Sequence, residues 1–459
     1  MNNDPSFAIS RRRCVQALGG GLGTVALSAL VSDPANAAGA IQPQPHFAPR
    51  AKRVIQLFMN GGPFQADFFD PKPALNQFAG QRPAEVELRT ERETAGLMAV
   101  PFAFKSCGEN GLPVSELLPH LQKQADELCV IRSCHTDNPN HGPALFLLNN
   151  GTMTPIRPSM GAWFTYGLGS ENADLPGYVV LCPGRPVRFS ELWSNGFLPG
   201  EHQGLYINSS QIDPTQMVPN VRPKLAADDQ RRQLDLLQQL NRQHATDHGD
   251  DARFETRIRA LETAYRMQFA ATDAFDINRE SAATRAAYGK SHYANSCLLA
   301  RRLVERGVRF VQIYYGNGQP WDTHGKHNEQ VRRLAADIDQ PTAALLADLK
   351  QRGLLEDTLV IWGGEFGRTS TSESGDGRDH NHYGFTTWLA GGGVRGGFAY
   401  GATDDFGFRA VQDKVHIHDL HATILHLLGL DHEKLTYRHA GRDYRLTDVH
   451  GRVVKAILA

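Results

Sequence analysis

The chain has 459 residues, a formal net charge of −1 and 21% charged residues. No basic surplus points to nucleic acid, and no acidic surplus points to a solvating tail. The length exceeds one average domain but suits a single large α/β unit, so function has to be read from local sites.

At the N-terminus, Ser10-Arg11-Arg12-Arg13 precedes the Gly- and Ala-rich run VQALGGGLGTVALSALV and then Ala35-Asn36-Ala37. A basic region, an apolar region and a small-residue cleavage signal predict a twin-arginine signal peptide over residues 1–37, with export to the periplasm or exterior. The glycines dilute the apolar run, so cleavage is expected and no stable membrane anchor remains. Cleavage removes Cys14 and leaves Cys107, Cys129, Cys134, Cys182 and Cys297. Widely spaced and without a CxxC pair, they form neither a disulfide framework nor a thiolate metal cage.

The mature region is expected to be one domain over residues 51–459, with a largely helical insertion around 190–290. Arg53–Met59 reads as a buried first strand ending in Asn60-Gly61-Gly62-Pro63, and Cys129–Ile131 as a second. His141 opens a helix that ends near Gly151, with Pro143 in its first turn. Pro176–Leu181 is a further strand. In the insertion, Leu234, Leu237 and Leu240, then Phe254, Ile258, Leu261, Tyr265 and Phe269, recur at helical spacing, which reads as core stripes. From residue 291 the pattern alternates: a helix to Gly307, a strand over Val308–Tyr314, a long helix to Gly353, a strand over Thr358–Trp362, a strand over Thr386–Ala390, and a helix over Asp419–Leu428. Such alternation predicts a mostly parallel sheet with helices on both faces.

Sites in open parallel sheets lie beyond the carboxyl ends of the strands. The chemical residues of this chain fall there repeatedly. Asp67 and Asp70 follow the first strand, and His135, Asp137 and His141 follow the second. Asp322, His324 and His327 follow Val308–Tyr314, while Glu365, Arg368, Asp379, His380 and His382 follow Thr358–Trp362. Imidazole and carboxylate without thiolate suit a divalent ion such as Zn, Mn or Ca and hydrolytic work. In extended backbone, Asp322 and His324 point the same way, as do His380 and His382. Ser370–Gly377 reads as a flexible hairpin that lets two stretches reach one ion. Arg368 and Arg378 are candidate clamps for a tetrahedral anion. His432-Glu433-Lys434-Leu435-Thr436 lacks the second His of a zinc-protease motif. Cys182-Pro183-Gly184-Arg185 misplaces the proline and arginine of a sulfatase nucleophile signature. His416-Ile417-His418-Asp419-Leu420-His421 reads as a strand-to-helix join with Asp419 as N-cap.

The stretches LFMNGGPFQADFFDPKP, NHGPALFLLNNG, LARRLVERGVRFVQIY, WDTH, TLVIWGGEFGRT, GRDHNHYGFTTWLAGG and DLHATILHLLGLDHEKLTYRHAGRDYRLTDVHG together resemble the secreted domain-of-unknown-function family numbered 1501. That resemblance implies an alkaline-phosphatase-like α/β sandwich, kin to sulfatases and cofactor-independent phosphoglycerate mutases, with one or two metal ions at the strand ends. It further implies that Asp322 with His324 or His327, and the distal His382, hold an ion. Glu365 stands where hydrolases of the superfamily have the Asp of an Asp-His pair, and Phe366 replaces the His. Asn60 replaces the first-strand Asp, so Asp67 or Asp70 has to substitute. His141 stands where the Ser or Thr nucleophile opens its helix, so a His nucleophile or metal-activated water is implied.

The expected activity is therefore that of an exported metal-dependent hydrolase of sulfate or phosphate esters. His141 and Arg368 are its catalytic candidates, and Asp67, Asp322, His324, His327, Glu365, Asp379, His380 and His382 its metal candidates. Its partner is an anionic small molecule or polysaccharide ester. The alternative is a non-catalytic relative that binds an anionic glycan or cell-wall polymer.

Overall fold

A computed structural model describes residues 44–459 apart from 156, 189, 211–216, 218–225, 249–261, 268–270 and 272. The proposed signal peptide and the stripe residues Phe254, Ile258, Leu261 and Phe269 lie outside the described residues.

The centre is a sheet of nine strands. In chain order they are β1 (Arg53–Phe58), β2 (Leu128–His135), β3 (Tyr178–Cys182), β4 (Leu205–Asn208), β5 (Phe310–Tyr314), β6 (Thr358–Gly363), β9 (Phe385–Ala390), β10 (Phe398–Tyr400) and β11 (Val415–His416). Two more strands, β7 (Gly367–Glu373) and β8 (Gly377–Asn381), form a separate antiparallel hairpin. Across the sheet the order is β10-β2-β9-β6-β1-β5-β3-β4, with β11 also on β2. Every pairing is parallel except those of β9, which runs antiparallel to β2 and β6. Edge strand β4 lies within the 190–290 region, so that region adds to the sheet as well as contributing helices.

Alternation along the strands sends side chains into two cores. Ile55, Leu57, Val311, Ile313, Val360 and Trp362 point to one face. Val54, Phe58, Phe310, Tyr314, Leu359 and Ile361 point to the other. Helices cover both, as strands buried on two sides require. On the first face lie α3 (His292–Glu305) and α4 (His327–Gln351); on the second lie α1 (His141–Asn150), α2 (Met160–Leu168) and α5 (Ile417–Leu427). Gln56 and Gln312 are buried polar residues in the middle of β1 and β5. The Gln312 amide donates to Gln56 at 3.0 Å and to Asn149 at 2.6 Å, and its carbonyl accepts from Tyr178 at 2.7 Å, so no donor or acceptor of this amide is buried unpaired.

Helix starts follow local chemistry. Asn140 caps α1 by accepting from the Gly142 amide, and Gly151 closes it at φ +67°, the left-handed turn that favours glycine. At α5 the cap is His416, with Asp419 returning the bond from the third helical position. The sequence expectation placed the cap at Asp419, one turn too late, because a capping imidazole has no common sequence signature. In the upstream insertion helix (Ala227–His248), Leu234 and Leu237 are half-buried and Leu240 is exposed, so that stripe is shallower than a core stripe. Among the described residues no helix is long and apolar enough to cross a membrane.

Two imidazoles of α5 are held neutral. Burial, then the neighbouring His421, His416 and His450, pushes His418 down to about 3, and burial pushes His421 down to about 4. The unfolded chain takes up protons below about pH 6.5 that the folded chain refuses, so stability falls as pH drops from there toward about 4. Urea midpoints at about pH 7 and about pH 5 measure this; the fall should shrink in His418→Asn, and an unchanged fall would remove His418 as its source.

Candidate functional site

The carboxyl ends of β1, β2, β5 and β6 deliver the site. After β5 the chain turns through Trp321–Gly325, tied by the Trp321 amide to the Asn60 carbonyl at 3.1 Å and by the Arg378 amide to the Thr323 carbonyl at 3.0 Å. Gly61 makes this approach possible. At φ +114° it has no Cβ, and one built there would stand 2.5 Å from the Asp322 amide nitrogen, closer than van der Waals contact allows. The Gly61 amide in turn donates to both oxygens of Glu365, at 3.1 and 3.2 Å.

Three imidazoles converge on Asp322. His324 Nε2 and His380 Nε2 lie 2.8 and 3.0 Å from its Oδ1, and His141 Nε2 lies 3.3 Å from its Oδ2. Each imidazole has a glutamate on its other nitrogen. His141 Nδ1 is 2.7 Å from Glu365, His380 Nδ1 is 2.5 Å from Glu91, and His324 Nδ1 pairs with Glu373. Carboxylates behind imidazoles fix the tautomer and aim Nε2 at a common point, the arrangement seen behind metal ligands. The Nε2 atoms of His324 and His380 are 3.1 Å apart, close to the ~3.3 Å edge of a tetrahedron with ~2.0 Å metal–ligand distances. Asp379 lies beside them, buried, with Oδ2 accepting from the Arg92 amide at 2.6 Å and Oδ1 without a partner. Two overlapping donor groups result: His141, Asp322 and His380, and His324, Asp379 and His380. The donor chemistry fits a divalent ion of the Zn or Mn type.

The electrostatics follow from this crowding. Asp322 is held far below the usual carboxylate range: burial opposes ionisation, but hydrogen bonds from His141, His324 and His380 and the Arg368 charge overcome it. His141 is raised to about 9, because its bonds to Asp322 and Glu365 outweigh burial. His324 is raised chiefly by its bond to Asp322.

The other expected site residues sit elsewhere. His327 and Asp67 form a fully buried pair at 2.8 Å, with Thr323 Oγ1 2.6 Å from His327 Nδ1. They brace the Asp322 loop from behind and belong to neither donor group. Asp70 is bound to Thr403, Lys72 and Arg132 at 2.5, 3.2 and 3.6 Å, which leaves it no free oxygen for an ion. His382 belongs to neither donor group: its ring lies 3.9 Å from that of Tyr383, and burial lowers its pKa. The strand β8 ends at Asn381, so His382 lies outside it and the two-residue alternation expected of 380 and 382 does not extend to it.

Neither arginine is placed to clamp a substrate. Arg378 is fully buried over the Phe64 ring at 4.0 Å, donates to the carbonyls of Thr369, Ser370, Met98 and Ala99, and is lowered to about 10 by burial. Arg368, also fully buried, donates to the carbonyls of Gly61, Gly62 and Arg378 and reaches Asp322 Oδ1 at 2.5 Å. The segment expected as a flexible hairpin is a hairpin with buried strands, β7 and β8.

Glu91, Glu373 and Gln319 were not anticipated. Gln319 donates to Glu365 at 3.1 Å. Glu373 carried one available signal, a carboxylate in a hairpin flanked by site residues; Glu91 carried none.

An α/β protein with a histidine- and carboxylate-lined candidate metal centre at its strand ends is thus defined by fold and geometry. The chain belongs to the family described as protein of unknown function (DUF1501), whose profile matches residues 51–458. No curated protein sequence matches it. Solved structures that it resembles include the PsFucS1 sulfatase from Pseudoalteromonas sp., at 15% identity and TM-score 0.36, covering 90% of this chain and 72% of that one. The lipoteichoic acid synthase LtaP from Listeria monocytogenes matches at 11% identity and TM-score 0.37, covering 93% and 80%. A mutant of TAB5 alkaline phosphatase with Mg bound matches at 9% identity and TM-score 0.35, covering 84% and 99%.

Removing a backing carboxylate should loosen an ion without unfolding the chain. Glu91→Gln and Glu373→Gln are each expected to weaken Zn binding by about 10–100-fold, read by competition with a chromophoric chelator. His382→Ala, and as a control His426→Ala in the last turn of α5, should bind Zn as the parent does; a loss in His382→Ala equal to that in Glu91→Gln would return His382 to the centre.

Proposed function

We propose that this chain is an exported, metal-dependent hydrolase of sulfate or phosphate esters, with esters carried on anionic polysaccharide included among its substrates. The observation that supports this most is the convergence of three glutamate-backed imidazole nitrogens on Asp322. His324, His380, Asp322 and Asp379 would hold the ion, with His141 at its edge. A divalent ion held there supplies Lewis acidity toward a phosphoryl or sulfuryl oxygen.

The chain's own residues supply the proton chemistry. His141 is protonated at neutral pH; its side chain is 15% exposed, with Nε2 covered in the free chain and facing Asp322. Its Nε2 proton can pass to the departing alcohol oxygen, with Glu365 on Nδ1 stabilising the imidazolium before transfer. Water is the attacking group in this reading. The first turn of α1 is His141-Gly142-Pro143-Ala144 and offers no hydroxyl or thiol. The nearby Thr323 hydroxyl is committed to His327 and is 1% exposed. Overall, water adds to the sulfur or phosphorus, the bridging bond to oxygen breaks, and alcohol and inorganic anion leave.

A second reading, an anionic-glycan-binding protein without turnover, draws support from the internal placement of Arg368 and Arg378. One experiment separates the two. Protein purified from the exported fraction is reconstituted with Zn, Mn or Ca and assayed on a panel of aryl and sugar sulfates and phosphates. Turnover is expected, and His141→Gln should lower kcat by roughly 100-fold or more with metal content unchanged. Stoichiometric metal, retained glycan binding and no turnover across the panel would replace the hydrolase reading with the binding one.

A further inference from the structure

The proposed hydrolase needs a cation to receive its anionic substrate, and the two arginines chosen from sequence are turned into the protein. Every other guanidinium at the centre is committed as well: Arg92 pairs with Glu373 at 2.9 Å and also shields that carboxylate behind His324. The loop before the 3-10 turn at Ser190–Trp193 brings in another. Arg188 lies across the first turn of α1, over Gly142, the residue that follows His141. Its guanidinium is so close that a Cβ built on Gly142 would stand 3.1 Å from Nε and 3.3 Å from one terminal nitrogen. Farther along the helix it stands 5.9 Å from the Phe146 ring. Among the described residues no carboxylate or carbonyl pairs with it. Its backbone is in the left-handed region, at φ +61°, a conformation that costs a non-glycine residue energy and that clusters at functional sites.

We propose that Arg188 is the residue that binds the tetrahedral anion of the substrate, a sulfate or phosphate monoester, presenting its guanidinium fork over the first turn of α1. This rests on the hydrolase reading and extends it to substrate recognition. Three features support it together. The side chain is exposed, and among the described residues no carboxylate or carbonyl takes its donors. It packs over Gly142, the chain neighbour of the residue whose proton the leaving group takes. And position 142 is a glycine whose missing side chain leaves the space that the guanidinium occupies. A planar fork matches two oxygens of such an anion at once, which an ammonium cannot do.

The test uses the full mature chain with its metal restored and inorganic phosphate and inorganic sulfate as calorimetric probes. Arg188→Ala is expected to weaken anion binding by about tenfold or more, and Arg188→Lys to recover little of it. Gly142→Ala keeps the arginine but pushes it aside; an intermediate loss is expected, and helical backbone accepts alanine there. Metal stoichiometry and thermal midpoint should stay at parental values in all three, because Arg188 is exposed and touches no donor to the ion. The inference is overturned if Arg188→Ala binds both anions within about twofold of the parent, or if Lys326→Ala, the exposed cation beside the Asp322 loop, shows the loss instead. Those outcomes leave the hydrolase reading standing. A parent that holds its metal yet binds neither anion would overturn both.

Discussion

Asp322 is the point on which the site's geometry depends. Its carboxylate lies in the loop beyond β5 in contact with four basic side chains, and no such group stays ionised in a low-dielectric setting without partners. Arg368 and three imidazoles supply them. Each of those imidazoles then needs an acceptor on its remaining nitrogen, and the glutamates 91, 365 and 373 provide it. The chain of demands runs outward from one carboxylate until it reaches backbone amides and solvent. It ends at the Gly61 amide behind Glu365 and at the half-exposed Arg92 behind Glu373.

That outward chain explains why so much charge is spent on scaffolding. Arg378 and Arg368 are long enough to cross between segments and cap several carbonyls at once. Each one ties the β7–β8 hairpin to loops that no sheet ladder could reach, and Arg378 does so at the cost of a lowered pKa. The Asp67–His327 pair works similarly from the opposite side, fixing Thr323 so that its two neighbours, Asp322 and His324, face the centre. A guanidinium or imidazole beside a site is not thereby part of the chemistry. Whether its donors are already taken distinguishes the two roles.

This is also the boundary of what the sequence made legible. Strand order aside, the layered α/β fold follows from apolar runs such as VIQLF and TLVIW separated by amphipathic helices, since period and length carry that information locally. Asp322, His324, Glu365 and His380 could be found for the same reason, because position after a strand is a local property. The assignments of His382 and the two arginines failed on direction. His382 falls just past the end of β8 at Asn381, and the two guanidinium groups turn inward to backbone carbonyls, and no composition rule encodes either. Glu91 was invisible for a different reason. It arrives from a surface segment 289 positions from its partner His380, through a contact that depends only on tertiary closure.

The tautomers decide what the centre accepts. If His324 and His380 give their Nδ1 protons to Glu373 and Glu91, both Nε2 atoms carry lone pairs, and these face each other at 3.1 Å beside an ionised carboxylate. Three electron-rich atoms at that spacing repel unless something positive lies among them. In the metal-free chain a proton serves, which is the physical content of the raised His324 pKa. A divalent ion held by the same atoms would answer both nitrogens and the carboxylate together, and its binding would then release protons. Glu373 behind His324 adds to that raised pKa, since its hydrogen bond to Nδ1 favours positive charge on the ring.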